Sequence, residues 1–250
     1  MTELELLVNF HKDADRQGPG SSFETKKALS FININKNHKL KIADIGCGSG
    51  AHTIVLAQNT NGQITAVDLF PEFLGKLDNK AKELGLHNRI KILEKSMEDL
   101  PFDNEEFDIF WSEGAIYNMG FETGIKEWKN YLETGGYLAV SEISWTTNSR
   151  PNEVEEHWNN EYPQIDTVSN KIRILEENGY SPVAHFILPQ YCWTDNYYKP
   201  IENRFSTFLE KYKNSELARK IVDLEKEEIK IYEKYKDYYS YGFYIAKKIH

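Results

Sequence analysis

Residues 42–50 read Ile-Ala-Asp-Ile-Gly-Cys-Gly-Ser-Gly, an apolar run that closes on an acid and is followed by glycines at alternate positions, Gly46, Gly48 and Gly50. The pattern predicts a buried strand that stops, reverses sharply and starts a helix. Glycine permits both the positive φ angles of such a turn and a close approach of backbone to a ligand. The expected product is a nucleotide-binding turn.

The glycines alone leave the ligand open, because Gly46-x-Gly48-x-x-Ala51 also satisfies the relaxed fingerprint of NAD- and FAD-binding folds. Asp44, two residues before the first glycine, tilts the reading. A carboxylate at a strand tip accepts hydrogen bonds or attracts positive charge, and it repels a pyrophosphate. The next apolar run, Gln63-Ile-Thr-Ala-Val-Asp68, closes on a second acid 22 residues after Gly46. A carboxylate there takes both hydroxyls of a ribose, which either class of ligand carries.

At this point the chain resembles the class I S-adenosylmethionine (SAM) dependent methyltransferases. Asp44-Ile-Gly-Cys-Gly-Ser-Gly50 is similar to their first motif and Ala66-Val-Asp68-Leu69 to their second. The resemblance continues through Glu94-Lys-Ser-Met-Glu-Asp-Leu-Pro-Phe102, Phe107-Asp-Ile-Phe-Trp-Ser-Glu113 and Tyr131-Leu-Glu-Thr-Gly-Gly-Tyr-Leu-Ala-Val140. It covers roughly residues 40–145, most closely in the style of small-molecule enzymes such as the quinone-biosynthesis group. Phe10-His-Lys-Asp-Ala-Asp-Arg-Gln-Gly-Pro-Gly-Ser21 resembles the start of a set of uncharacterised bacterial members.

The resemblance implies SAM as cofactor and a first assignment of residues. Gly46, Cys47 and Gly48 meet the methionine portion through their backbone, with Asp44 near its ammonium group. Asp68 binds the ribose, Leu69 and Phe70 lie beside the adenine, and Ser96, Met97 and Glu98 form the loop at the adenine's edge. Gln17 and Gly18 sit in a loop between two leading helices that in similar folds cap the cofactor, and are expected at its carboxylate end; a plain connecting loop is the alternative.

Composition bounds the rest. A chain of 250 residues, 40% hydrophobic and 13% aromatic, can bury a full core, and a single domain is expected. No apolar run is long enough to span a bilayer and the N-terminus lacks the basic start of a secretory signal, so a cytoplasmic protein without a membrane partner is expected. Cys47 and Cys192 have neither the number nor the spacing of a disulfide framework or a metal site, so no metal is expected. A formal charge of −9 disfavours a phosphate-tracking surface and hence a nucleic-acid partner.

Along the chain, apolar Leu4, Leu7 and Val8 with His11 predict a helical face within residues 3–15, and Arg16-Gln-Gly-Pro-Gly20 breaks it. Ser21 and Glu24 form a capping box for a second helix that carries Phe23, Lys27, Ala28 and Phe31 to about Asn33. From Lys41 the order is β/α: strand 41–45, helix 50–58, strand 63–67, helix 71–85, strand 89–93, a short helix near 97–99, strand 107–110, helix 122–132 and strand 136–142. Thr134-Gly-Gly136 supplies the last of those turns. By resemblance the sheet finishes with a helix starting at Asn152 or Ser169 and ending by Gly179, a strand 183–188 and a last antiparallel strand 240–248.

The expected fold is α/β: a seven-stranded, mostly parallel Rossmann-like sheet with helices on both faces and the last strand antiparallel. Residues 1–38 form an N-terminal helical cap, 39–189 and 240–250 the core, and 190–239 a helical insertion before the last strand. The insertion carries a stripe of Leu217, Ile221, Leu224, Ile231 and Tyr235. It is expected to pack one side on the core, with a substrate lid or a homodimer surface as alternatives.

Methyl transfer from a sulfonium is an in-line displacement that needs positioning first and a base only if the acceptor must lose a proton. Strand four ends Trp111-Ser-Glu-Gly-Ala-Ile-Tyr-Asn118 at the carboxyl edge of the sheet, which turns Ser112 and Glu113 to the site. Glu113, Tyr117 and Glu142 are the candidates for a base or substrate anchor, while His157 and His185 are set aside as lone histidines. Trp145, Tyr191, Trp193, Tyr197 and Tyr198 are aromatics expected near the same edge, there to sandwich a flat acceptor, to hold the sulfonium by cation–π attraction, or to pack ordinarily. The expected reaction is methyl transfer to an O, N or C atom of a small molecule. A nicotinamide-dependent oxidoreductase and a non-catalytic SAM-binding protein are the alternatives.

Overall fold

The computed structural model describes residues 2–33 and 39–250; the last five residues expected in the cap, 34–38, and Met1 lie outside them. Strand β1, Lys41–Ile45, is buried at all positions but its first, as a central parallel strand covered on both faces must be. Helix α3, Ala51–Asn59, follows the turn, then β2, Gln63–Asp68, α4, Pro71–Glu83, and β3, Ile90–Glu94. Strand β4, Phe107–Glu113, helix α5, Phe121–Trp128, and β5, Leu132–Trp145, continue the alternation. The chain then adds α6, Asn152–Glu161, a two-residue strand β6, Asp166–Thr167, α7, Val168–Glu177, and β7, Tyr180–Ile187. Strand β8, Tyr239–Lys248, enters antiparallel between β5 and β7, and the order across the sheet is β3-β2-β1-β4-β5-β8-β7.

The strand order reverses at β1, with β2 on one side and β4 on the other, and this opens a crevice at the carboxyl ends of those strands. Alternate residues of β1 feed two cores. Ile42 joins Leu56, Leu77 and Trp111 on one face, and Ala43 and Ile45 join Phe110, Phe121, Trp128 and Tyr244 on the other. Gly50 caps α3 in the left-handed region at φ 81°, and a Cβ there would lie 2.2 Å from Leu77 Cδ1. The third glycine is therefore the one that lets α3 close on α4.

The leading helices are α1, Glu3–His11, and α2, Ser22–Ser30. Ser21 caps α2 as expected by accepting from Glu24 N at 3.0 Å, but the Glu24 carboxylate does not reach back and instead accepts from the Tyr191 hydroxyl at 2.9 Å. The predicted faces are rotated: α1 buries Leu6, Val8 and Phe10 while Leu4 and Leu7 are exposed, and α2 buries Glu24, Thr25, Ala28 and Leu29 while Phe23 and Phe31 are exposed. These helices pack on polar and aromatic neighbours distant in sequence, so hydrophobicity alone misplaces the stripe. Three local corrections also hold. Residues 97–99 form a turn without a helix, Thr134-Gly-Gly136 is absorbed into β5 as an irregularity opposite Phe107 and Ile109, and the expected helix before β7 is two, α6 and α7.

The 190–239 segment is helical as expected. It comprises α8, Tyr191–Trp193, a π-turn, Thr194–Tyr198, α9, Lys199–Glu202, α10, Phe205–Lys211, and α11, Glu216–Tyr235. The buried stripe of α11 is Ala218, Ile221, Val222, Glu225, Ile229, Tyr232 and Tyr235, and Leu224 is exposed. Among the described residues no helix is long and apolar enough to cross a membrane.

Gly50→Ala is expected to lower stability by about 1–3 kcal/mol, from overpacking against Leu77 and a strained φ. Gly18→Ala, where a Cβ meets nothing within 4 Å, is the control and should shift the urea midpoint negligibly. Equal midpoints for both variants would contradict the tight α3–α4 contact.

Candidate active site

The turn after β1 is held by its own N–H groups. Gly46 N and Cys47 N both donate to Val67 O at 2.9 Å, and Gly48 N donates to Asp68 Oδ2 at 2.8 Å. Phe70 N donates to the other oxygen of Asp68 at 3.0 Å. The N–H groups that would cradle a phosphate are spent on β2, so this end of the crevice suits a cationic or neutral group better than a pyrophosphate. A Cβ on Gly46 would lie 2.3 Å from Ala115 Cβ, and one on Gly48 2.4 Å from Gln17 Oε1, so neither glycine can be enlarged without moving a wall of the crevice.

A cavity of about 380 Å³ opens above the turn, within the usual size of a ligand site. It is lined by the expected Gln17, Gly18, Gly46, Cys47, Gly48, Asp68, Leu69, Phe70, Ser96, Met97 and Glu98, and by Glu113 and Tyr117 after β4. Burial lifts the Asp68 carboxyl above its ordinary value, against the N–H bonds of Phe70, Gly48 and Leu69 that lower it. Burial, then the charges of Asp44 and Asp68, push the Cys47 thiol well above its usual range, which makes it an inert wall.

Three expected site residues do not line the cavity. Asp44 is fully buried beneath the turn, where it accepts from Thr53 Oγ1 at 2.6 Å and meets His52 Nε2 at 3.0 Å; any influence on a ligand passes through His52. Ser112 is fully buried and its hydroxyl has no hydrogen bond among the described residues, because β4 turns it to the core face that carries Phe110 and Val140. Glu142 is fully buried and ion-paired with Lys171 at 3.3 Å. Burial raises the Glu142 carboxyl and lowers the Lys171 amine, so the pair belongs to the packing between β5 and α7 and not to the reacting centre.

Glu113 lines the cavity but is not a free base. Its carboxylate accepts from Thr25 Oγ1 at 2.7 Å, Trp111 Nε1 at 3.1 Å and Arg16 Nη1 at 3.3 Å. The knot ties β4 to α2 and to the loop after α1. The same loop is latched a second time: Gln17 Oε1 accepts from Ser49 N at 2.8 Å, and Lys76 Nζ donates to Ala14 O at 2.6 Å. Tyr117 remains accessible on the cavity wall, 42% exposed, with its ring 6.1 Å from that of Tyr162.

Arg16, His52 and Lys95 are charged or ionisable lining residues that the sequence does not single out for the site. His52 opens the first turn of α3, one position past the fingerprint, and pairs with an acid eight residues earlier. That spacing is the only signal it leaves in the sequence. His157, by contrast, packs edge-on against Trp158, and His185 is exposed on β7. Of the aromatics expected here, Trp145 and Trp193 are core residues, Trp193 stacking on Tyr232 at 4.7 Å. Among the described residues no group of His, Cys, Asp and Glu is placed to hold a metal.

Comparison with known proteins bears on the same residues. A family described as a methyltransferase domain matches residues 42–136. The ubiquinone/menaquinone biosynthesis C-methyltransferase UbiE of Rhizobium rhizogenes is 30% identical over 177 residues, which are 65% of this chain and 69% of that protein. Over its namesake from Allorhizobium ampelinum the match spans 60% of the relative's length. A sarcosine/dimethylglycine N-methyltransferase of Aphanothece halophytica is 25% identical over 109 residues, 43% of this chain and 39% of that one. Among solved structures, a SAM-dependent methyltransferase from Geobacter sulfurreducens in complex with S-adenosyl-L-homocysteine superposes with a TM-score of 0.85 at 17% identity, covering 97% of both chains.

Burial disfavours a charged His52, yet the Asp44 carboxylate, and Glu113 farther off, outweigh it and raise its pKa above the ordinary 6.5. A raised folded-state value means the pair's stabilisation is complete below the unfolded pKa and is lost as pH rises through the folded one. The stability difference between the wild type and His52→Gln, from urea unfolding, should therefore shrink as pH is raised from about 6.5. A difference independent of pH would show that the imidazole is neutral beside Asp44.

Proposed function

The chain belongs to the class I SAM-dependent methyltransferases, enzymes that methylate small molecules, and on that premise we propose how its own residues hold cofactor and acceptor. The observation that carries the reading is Asp68, pinned by Gly48 N and Phe70 N at the tip of β2 with its carboxylate on the cavity. In this reading Asp68 takes the ribose hydroxyls, Leu69, Phe70 and Met97 enclose the adenine, and Ser96 and Glu98 meet its edge. The carbonyls of the Gly46–Gly48 turn face the methionine portion, whose ammonium they suit, and Gln17, Gly18 and Arg16 close over it. His52, carried by Asp44, faces its carboxylate and in its protonated form offers it a positive charge.

Bound SAM supplies a methyl group on a positively charged sulfur, and the protein's task is alignment. The wall of the cavity formed by Glu113, Gly114, Ala115 and Tyr117, after β4, is where the acceptor sits in this reading. Glu113 acts by position: its three donors hold the cap on β4 and so exclude water from the reacting centre. Tyr117 remains the candidate for contact with the acceptor, and Glu142 is withdrawn from that role by its burial against Lys171.

We further read the chain as one domain, with residues 1–38 as a cap and 190–239 as an insertion, acting in the cytoplasm on a metabolite and not on a nucleic acid. The net charge of −9 supports the last point, and two buried free thiols suit a reducing compartment. A nicotinamide enzyme finds no support in a turn whose N–H groups are already bonded to β2.

Calorimetric titration should give SAM or S-adenosylhomocysteine a dissociation constant on the order of micromolar, about −8 kcal/mol. Asp68→Ala should weaken it about 100-fold or more, through the loss of charge-assisted hydrogen bonds. NADH should give no heat. An Asp68→Ala variant that binds SAM as the wild type does would refute the assignment.

A further inference from the structure

The insertion contains an acid without a counter-charge. Glu228, on α11, accepts a hydrogen bond from the Tyr198 hydroxyl at 2.9 Å, and among the described residues no lysine, arginine or histidine pairs with it. The nearby ionisable groups are acids: Glu225, one turn earlier on α11, and Glu161 on α6. Glu225 is itself buried, paired through one oxygen with His11 at 3.0 Å and within electrostatic reach of Arg204, so the cations of this region serve Glu225 and not Glu228; its other oxygen has no hydrogen bond among the described residues. Glu228 is half-buried, and a carboxylate withdrawn from bulk water beside other acids ordinarily faces a cation.

The surroundings are tyrosines. The hydroxyls of Tyr117, Tyr197, Tyr198, Tyr239 and Tyr241 all lie within electrostatic reach of Glu228. Tyr117 lines the cofactor cavity. The Tyr241 ring lies over Gly114, another lining residue, close enough that a Cβ there would touch it at 3.2 Å. Tyr197 and Tyr198 come from the π-turn, an irregularity frequent at functional sites. Trp193 backs the group, 5.1 Å from Tyr241 and 6.0 Å from Tyr198 between ring centroids. Burial, then the Glu225 charge, lift the Glu228 carboxyl to about 7, the behaviour of an acid lacking its cation.

We propose that Glu228 and the tyrosines around it form the acceptor subsite of this enzyme, and that the acceptor is a small amine bound as its ammonium ion. The proposal rests on the cofactor placement given above and extends it to the substrate. The carboxylate supplies the missing ion pair and the tyrosine faces supply cation–π attraction. For transfer, the ammonium gives its proton to the Glu228 carboxylate and the freed nitrogen lone pair attacks the methyl carbon. The C–S pair leaves on sulfur, which becomes neutral, and the methylated nitrogen carries the positive charge away. Charge is conserved and no further reactant is required.

The test uses the full chain saturated with S-adenosylhomocysteine and two probes of the same shape, choline and its uncharged analogue 3,3-dimethyl-1-butanol, titrated by calorimetry. Choline is expected to bind about tenfold or more tightly than the alcohol, and Glu228→Gln to abolish that preference while leaving S-adenosylhomocysteine affinity unchanged. Tyr241→Leu, which keeps the acid, should weaken choline severalfold on the same terms and serves if Glu228→Gln does not fold. Equal affinity for the two probes, binding of neither, or an undiminished preference in both variants overturns the proposal. Failure of the wild type to bind S-adenosylhomocysteine would instead refute the cofactor placement on which it rests.

Discussion

Everything at this site depends on three hydrogen bonds that tie the turn after β1 to the tip of β2. Gly46 N and Cys47 N converge on Val67 O, and Gly48 N reaches Asp68. They fix the spacing of two parallel strands at the point where the sheet's order reverses, and they aim one carboxylate into the crevice. They also remove the donors a phosphate needs. The geometry that makes the turn rigid thus also bears on its ligand, since N–H groups spent on protein acceptors leave the turn without donors for an anion, while each carbonyl oxygen keeps a second lone pair.

The cap is the second consequence of that rigidity. A fixed turn gives the loop after α1 something to latch onto, through Gln17 and Ser49 on one side and Arg16 and Glu113 on the other. Charged and neutral donors share Glu113, so the closure is electrostatic as much as apolar, and such a latch opens more readily than a packed core would. The insertion reaches the same cap from above: Asn196 donates to Gly20 O at 2.8 Å, and the Tyr191 hydroxyl meets Ser21 and Glu24. Turn, cap and insertion therefore share one set of contacts, and the acceptor pocket proposed above is built last in sequence on a frame set first.

What the sequence reveals and what it hides divide along contact range. The turn, Asp68 and the strand order are legible because their determinants lie within a few residues of one another: glycines where φ is positive, acids at strand ends, apolar runs of strand length. The buried faces of α1 and α11 are not, because each is decided by the other; His11 pairs with Glu225 across more than 200 residues and Leu224 is left outside. Glu113 reads as a base in sequence because its three donors come from Thr25, Trp111 and Arg16, two of them from elements with no local mark of the encounter. His52 is hidden for the opposite reason: it sits so close to a strong motif that the motif absorbs it. Tyr241 and Glu228, remote in sequence from the glycines, carry no motif at all.

The most direct measurement is a crystal structure of the protein grown with S-adenosylhomocysteine. The account predicts electron density for the ribose hydroxyls against the Asp68 carboxylate, the adenine between Leu69, Phe70 and Met97, and the sulfur turned toward Gly114 and Tyr117 with an open path to Tyr241. A ribose bound away from Asp68, or a sulfur facing the Gly46–Gly50 turn instead of β4, would contradict it.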